Sequence, residues 1–322
     1  IEKIRTAVKR VSPEKFLLGE VWEDATTKFG FDHRRTYLLG KGLDSVMNYP
    51  FKNSVLDFVK GKPAQQAANE ILSICEHYPA PAINTALNFL STHDTERALT
   101  VIADEPANGR GREWQSGRSV TGEAYEEGML RLRMAYAIIY TLPGVPCLYY
   151  GDEIGMQGYR DPFNRRTYPW GREDPELLAH FRRLGQLRKA YDALRLGDIQ
   201  FFQAEDRRIG FTRRYGGSVL KIYCNRCGDP WDIPAGKILM GHNLQTVAPD
   251  WLTLAPKGFC IVEDNVETEK FVSGYCRQLD GSRMVEVVLE DGAVTETDCC
   301  YGSCVYQSSC PIAKEIDQLQ EQ

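Results

Sequence analysis

Leu17-Leu18-Gly19-Glu20-Val21-Trp22 and, further along, Asn88-Phe89-Leu90-Ser91-Thr92-His93-Asp94 share one pattern: a short apolar run that leads to a carboxylate. Each reads as a buried strand presenting an acid at its C-terminal tip, with helical patterning between the two. Active sites of (β/α)8 barrels are built at such tips. Paired carboxylates at those positions are the equipment of glycosidic bond cleavage. Glu20 lies so near Ile1 that the chain is expected to begin partway through an enzyme of this kind.

Outward from these two strands, residues 1–192 alternate short apolar runs with longer helical patterns, the signature of βα units. Helices are expected over 1–12, 51–60, 64–77 and 123–142, the last stopped by Pro143-Gly144, and from an Asp174 cap to Tyr191. In the first of them Ile1, Ile4, Ala7, Val8 and Val11 form an apolar side. Strands are expected over 16–19, 43–47, 86–90 and 146–150. A closed barrel needs eight strands and about 250 residues, so 1–192 reads as the C-terminal half of one. Residues 193–263 change to alternating runs broken by Gly-Gly and Gly-Asp-Pro, as in an all-β sandwich domain. Residues 264–322 form a small Cys-rich tail, acidic at its start and closing in a polar helix over 312–322.

The composition excludes several partners. The net charge is −5 and no basic run carries interleaved aromatics, which argues against nucleic acid. No apolar stretch approaches the roughly 18 residues of a membrane helix. The chain opens on Ile1 with no secretory pattern, so its natural N-terminus, with any targeting signal, is expected to be missing. Cys75, Cys147, Cys224, Cys227 and Cys260 are scattered, as reduced core thiols are, and this favours a cytoplasmic setting. The other five cysteines crowd into the tail.

Three stretches carry candidate chemistry. Phe16, Leu17, Leu18 and Trp22 could wall Glu20 with apolar surface and keep it protonated as a general acid; a solvated glutamate at a strand end is the plainer reading. Asp94 could stabilise an oxocarbenium-like transition state while His93 bonds a sugar hydroxyl. Asp94 or Thr95 would equally serve as a helix N-cap. The loop Gly151-Asp152-Glu153, Asp161-Pro162-Phe163-Asn164-Arg165-Arg166 and Pro169-Trp170 is dense in groups that bond hydroxyl pairs or stack on sugar rings, though an ion-pair network would use the same residues. Cys224-Asn225-Arg226-Cys227 has redox-like spacing but no second pair nearby. In the tail Cys276, Cys299 or Cys300, Cys304 and Cys310 could hold zinc or an iron-sulfur cluster, with reduced thiols or disulfides as the competing readings.

Taken in order and spacing, these motifs resemble glycoside hydrolase family 13, the α-amylase family, and within it the neopullulanase and cyclomaltodextrinase branch. The residues that carry the match are Gly19-Glu20-Val21-Trp22-Glu23-Asp24-Ala25, Asp44-Ser45-Val46-Met47-Asn48-Tyr49-Pro50-Phe51, Ser91-Thr92-His93-Asp94-Thr95, Leu142-Pro143-Gly144-Val145-Pro146 through Gly151-Asp152-Glu153, and Asp161-Pro162-Phe163-Asn164-Arg165-Arg166 with Pro169-Trp170-Gly171-Arg172. The resemblance covers residues 1–263 and leaves out the tail.

The resemblance implies that Glu20 is the general acid/base and that Asp94 stabilises the transition state. His93 would bind the sugar at the cleavage point, Asp161 and Arg165 would grip the next glucose on the non-reducing side, and Trp22 and Tyr49 would line the leaving-group side. It implies retaining hydrolysis of α-1,4 links, with α-1,6 as a wider range, in maltodextrins, cyclodextrins or pullulan. The family's nucleophile is an aspartate in a Gly-x-Arg-x-Asp pattern before the helix that precedes Gly-Glu-Val-Trp, and the chain has none there. The 322 residues are therefore expected to be inactive alone, and an open half-barrel is expected to aggregate. Calcium in the parent and a homodimeric parent are both compatible with the resemblance. The rival from another class is a non-catalytic binding or scaffold protein on the same fold, with a metal-binding tail.

Overall fold

The computed structural model describes residues 1–248, 250–264, 267–290 and 293–320. Helix α1 (Glu2–Val11) leads to β1 (Leu18–Gly19), and a hairpin of β2 (Phe29–Gly30) and β3 (His33–Arg34) precedes β4 (Ser45–Val46). Helices α2 (Tyr49–Lys60), α3 (Ala64–His77) and α4 (Ala80–Ile83) then reach β5 (Leu87–Asn88). After α5 (Ala98–Ala103), α6 (Arg112–Gly117) and α7 (Gly122–Thr141) comes β6 (Val145–Pro146), followed by α8 (Pro175–Ala190) and α9 (Asp192–Leu196).

β1 pairs with β4 and β5 with β6, both in parallel, and a parallel Met47–Leu87 bridge joins the two pairs. The order β1-β4-β5-β6 follows the chain, with helices in the β4–β5 and β5–β6 crossings and the β2–β3 hairpin between β1 and β4, as in consecutive strands of a (β/α)8 barrel. The expected half-barrel is present, but its ladders are two residues long rather than four or five. Backbone bonds such as Asp44 N–H to Leu17 O (2.9 Å) and Cys147 N–H to Asn88 O (2.6 Å) extend each pairing slightly. Residues 147–150, expected in the last strand, instead leave the sheet, and Tyr149 and Tyr150 lie over the Arg97 guanidinium.

The tips are fastened by polar side chains. Asn48 caps α2 by accepting from Phe51 N–H (3.2 Å) and donates to Asn88 Oδ1 (3.0 Å), and Asn88 donates to Pro143 O (2.7 Å). Both asparagines are fully buried, so this chain of bonds sets the tips of β4, β5 and β6 at one level. Asp174 caps α8 as expected, accepting from Glu176 and Leu177 N–H at 2.9 Å. On α1 the apolar side is left uncovered by the described residues, with Ile1, Ile4 and Val11 exposed. The helix is held instead by Arg5 (2.7 Å) and Lys9 (3.0 Å) on Asp44.

Strands β7 (Asp198–Gln203), β8 (Arg208–Tyr215), β9 (Ser218–Asn225), β10 (Trp231–Pro234), β11 (Lys237–Ala248) and β12 (Trp251–Asp264) form one antiparallel sheet. Alternation decides what each face meets. Ile222, Cys224, Phe259 and Ile261 share the main core with the barrel helices, whereas Tyr223, Cys260 and Val262 face a second core with Ile233, Leu252 and Leu254. At the irregularity between these stretches, a Cβ on Gly258 would sit 2.8 Å from the carbonyls of Ala255 and His242. The junction with the barrel uses two buried arginines. Arg188 donates to Tyr140 O (2.8 Å) and Gly144 O, and Arg213 donates to Gly197 O (2.7 Å) and Thr141 O. Both serve the carbonyl-rich C-terminal end of α7, where the helix dipole favours positive charge. Among the described residues no helix is long and apolar enough to cross a membrane.

His180, on α8, packs edge-on against Phe259 of β12 (5.6 Å between rings). Burial, with Arg133 and His242 adding to it, drives its pKa down to about 3. The folded protein therefore keeps this imidazole neutral while the unfolded chain protonates it below about 6.5. The resulting stability is whole above that pH and is lost as pH falls toward 3. His180→Phe is expected to flatten the acid limb by on the order of 2–3 kcal/mol near pH 4, read from denaturant unfolding at stepped pH. Parallel acid limbs for the two proteins would contradict this.

The tail adds β13 (Glu267–Cys276), β14 (Gly281–Glu290) and β15 (Ala293–Thr297), an antiparallel meander the sequence reading did not expect, and α10 (Pro311–Gln320). Val272, Val285, Val287 and Leu289 face Ile312 and Ile316 of the helix in a small separate core.

Candidate active site

Glu20 stands just beyond β1, and two donors converge on one of its oxygens. Tyr49 OH reaches Oε1 at 2.9 Å and Trp22 Nε1 at 3.1 Å. The two rings stack, with centroids 4.2 Å apart and planes 15° off parallel, and Phe89 of the neighbouring strand meets Tyr49 edge-on at 4.9 Å. The stack fixes both donors, so the carboxylate is held in one orientation. The apolar wall expected around Glu20 is not formed by the described residues. Phe16 and Leu18 are exposed, because β1 is the edge strand of the described sheet, and Glu20 is exposed with them.

The second carboxylate lies on the turn after β5. Thr92 N–H donates to Thr95 Oγ1 (2.9 Å) and Asp94 N–H to Thr92 Oγ1 (3.2 Å), which closes the turn and presents His93 and Asp94 outward. Neither Asp94 nor Thr95 caps a helix: α5 begins later, and its first N–H, on Ala98, is taken by Ser91 Oγ (2.7 Å). His93 Nε2 is 3.1 Å from Asp94 Oδ2. Arg165 lies 3.5 Å from Asp94 Oδ1 and 3.1 Å from Asp161 Oδ1, and it also donates to His93 O (3.1 Å). Asp161, Arg165, Asp94 and His93 therefore form one exposed polar chain.

The two carboxylates belong to one locale. The Tyr49 hydroxyl is pushed well above its ordinary value, chiefly by burial and then by its bond to Glu20, and the charge of Asp94 adds to the shift. Trp22 also lines, with Asp94, Lys52 and Arg160, a cleft of about 360 Å³. On its other side Trp22 borders a cleft of about 870 Å³ with Pro50, Asn53 and Asn69. The arrangement supplies an exposed carboxylate on an aromatic floor, whose Trp22 also borders the cleft that Asp94 of a carboxylate-imidazole-guanidinium chain lines. That set can bond several hydroxyls and stabilise positive charge.

The sequence reading missed the scaffold beneath this site. Arg97, fully buried, donates to Asn164 O (2.9 Å), Tyr150 O and Asp152 Oδ1 (3.2 Å), and Tyr136 OH donates to Asp152. Asn164 Nδ2 in turn reaches the carbonyls of His93 (2.7 Å) and Thr95 (2.7 Å). Arg97 thus ties the loop carrying Asp161 and Arg165 to the turn carrying His93 and Asp94. Burial raises the Asp152 pKa and the Arg97 charge opposes that rise. Lys52, whose pKa burial lowers, was missed too; an isolated lysine or arginine gives no signal in a sequence. Trp170 of the expected sugar-binding loop stands exposed against Tyr168, with rings 4.5 Å apart.

The weaker candidates separate. Cys224 is fully buried in the main core, while Cys227 sits on the following turn beside Asp229 (3.8 Å), so their spacing builds no shared site. Cys276, Cys300, Cys304 and Cys310 line one cavity in the tail, together with Cys299. Among the described residues no three His, Cys, Asp or Glu side chains stand arranged to hold a metal ion.

Comparison with known proteins agrees with the fold. Residues 1–170 match the alpha amylase catalytic domain. An amylopullulanase of Thermoanaerobacter thermohydrosulfuricus is 35% identical over 222 residues, covering 65% of this chain and 14% of that protein. A cyclomaltodextrinase of Geobacillus thermopakistaniensis (strain MAS1) is 31% identical over 238 residues, 72% of this chain and 35% of that protein. The crystal structure of a debranching enzyme from Nostoc punctiforme superposes with a TM-score of 0.65 at 26% identity, over 81% of this chain and 54% of that one. The matched region thus spans 14% of the first curated relative, 35% of the second and about half of the solved structure.

Proposed function

This chain belongs to the alpha-amylase family, and on that premise we propose that it supplies the acid/base side of a retaining α-glucan hydrolase. The substrates are maltodextrins, cyclodextrins or pullulan, cut at α-1,4 links and, as a wider range, at α-1,6. The observation that carries the reading is Glu20, clamped by Tyr49 and Trp22, with Trp22 lining the same cleft as Asp94.

In this reading Glu20 protonates the leaving oxygen and then activates water. Asp94 steadies the oxocarbenium-like charge, with His93 bonding a hydroxyl of the same sugar. Asp161 and Arg165 hold the next glucose, and the Trp22–Tyr49 stack offers its face to the leaving group. A retaining mechanism needs a carboxylate nucleophile about 5 Å from the acid/base. The Gly-x-Arg-x-Asp pattern that carries the family's nucleophile does not occur in these 322 residues, so in this reading the nucleophile belongs to another segment.

The test is sugar release from the three glucans by the 322-residue chain alone and by a protein that also supplies the remaining barrel strands. The expected result is none from the chain and turnover from the complete barrel. Turnover by the chain, abolished in Glu20→Gln, would place a nucleophile inside these residues. Glucan binding without turnover by a complete barrel would favour the scaffold reading.

A further inference from the structure

The tail gathers five cysteines from three separate places: Cys276 at the end of β13, Cys299, Cys300 and Cys304 after β15, and Cys310 just before α10. All five line a single cavity of about 120 Å³, and none is in a disulfide. Successive turns, from Ser303 N–H to Cys300 O (3.0 Å), Gln307 N–H to Cys304 O (3.0 Å) and Cys310 N–H to Gln307 O (3.2 Å), carry the chain around the cavity wall. The tail's own core is six buried aliphatic side chains. A segment of this size rarely stands on so small a core without a staple, which in natural mini-domains is a disulfide, a metal or an added partner.

We propose that this cavity is a four-thiolate site for a thiophilic metal centre, zinc or an iron-sulfur cluster. Cys276, Cys304 and Cys310 would supply three ligands, and the adjacent Cys299–Cys300 pair the fourth. The ligand chemistry is soft sulfur alone: the tail has no histidine, and thiolates select zinc and iron-sulfur centres over hard cations. Arg283 also lines the cavity, with its guanidinium shared with Asp298 (3.4 Å), and so adds partly compensated positive charge beside the thiols. No three sulfurs stand in ligating positions among the described residues, so the thiols that line the cavity must turn toward one centre for a metal to bind. Zn2+ or a preformed iron-sulfur cluster is taken up whole from a donor, each ligating thiol gives its proton to water, and the oxidation state of the metal is unchanged. A metal here would bridge the end of β13 to the start of α10, supplying the staple that the small core lacks.

The test uses the whole chain, purified anaerobically under thiol reductant. Elemental analysis is expected to find about one zinc per chain, or iron with acid-labile sulfide and visible charge-transfer absorption. Cys304→Ser, Cys310→Ser and the Cys299→Ser/Cys300→Ser double variant should lose the metal, while Cys75→Ser and Cys227→Ser keep it. Should a tail variant fold poorly, alkylation of the unmodified chain decides. The tail thiols are expected to be protected until a chelator is added, while Cys227 reacts throughout. No stoichiometric metal, metal retained without Cys304 and Cys310, alkylation indifferent to chelator, or disulfides among the five cysteines would each overturn the site.

Discussion

In a protein carrying the complete barrel, Glu20→Gln is expected to lower kcat on maltodextrins by about 10²–10⁴-fold, the range of a general acid/base. The amide keeps the shape of the side chain and can still accept from Tyr49 OH and Trp22 Nε1, the two bonds that position Glu20. It cannot give a proton to a leaving oxygen or take one from water. Substrates with good leaving groups need no protonation in the first step, so their kcat/KM should fall much less than that of maltodextrins, while the water-attack step stays slow for both. Equal losses on both kinds of substrate would show that Glu20 positions substrate rather than moving a proton. Loss of KM alone, with kcat unchanged, would assign it to binding.

Arg97→Met is expected to destabilise the chain by about 3–5 kcal/mol, read from denaturant unfolding. Asp152 is buried with Arg97 and Tyr136 as its partners, and removing the guanidinium leaves the carboxylate without a counter-charge. The carbonyls of Tyr150 and Asn164 lose their donor in the same step. Replacing both Arg97 and Asp152 by aliphatic residues should cost less than Arg97→Met alone, because no unpaired charge then remains buried. A single variant within about 0.5 kcal/mol of the unmodified chain would show that the network carries no load. In the complete protein the same variant should loosen Asp161 and Arg165, since Arg97 anchors their loop through Asn164.

The residues that were legible in the sequence are those with a local signal. The runs before Glu20 and Asp94, the Asp174-Pro175 helix start and the alternating runs between Gly-Gly and Gly-Asp-Pro breaks in 193–263 each mark an element through period or capping. Glu20, Trp22, Tyr49, His93, Asp94, Asp161 and Arg165 formed a set because their order resembles a family. What was not legible depends on contacts distant in the chain. Arg97 lies in Thr95-Glu96-Arg97-Ala98-Leu99, where an arginine reads as solvated; its burial follows from the fold of residues 150–164. The strand at 146–150 was overextended because Leu148, Tyr149 and Tyr150 are apolar, yet the rings of Tyr149 and Tyr150 are used on Arg97. In the tail, Val272 follows Phe271, Val285 follows Met284 and Val287 precedes Val288, so no clean alternation marks the strands, and their pairing needs a partner that no local pattern names.

The central claim is that Glu20 works as acid/base against a nucleophile lying outside these residues. The most direct measurement is to treat the Glu20→Gln variant of a complete-barrel protein with an activated fluorinated maltosyl substrate, then map any covalent adduct by peptide mass spectrometry. The account predicts an accumulating glycosyl-enzyme on an aspartate outside the 322 residues, with Glu20 and Asp94 unlabelled. An adduct on Asp94, or full turnover with no intermediate, would contradict it.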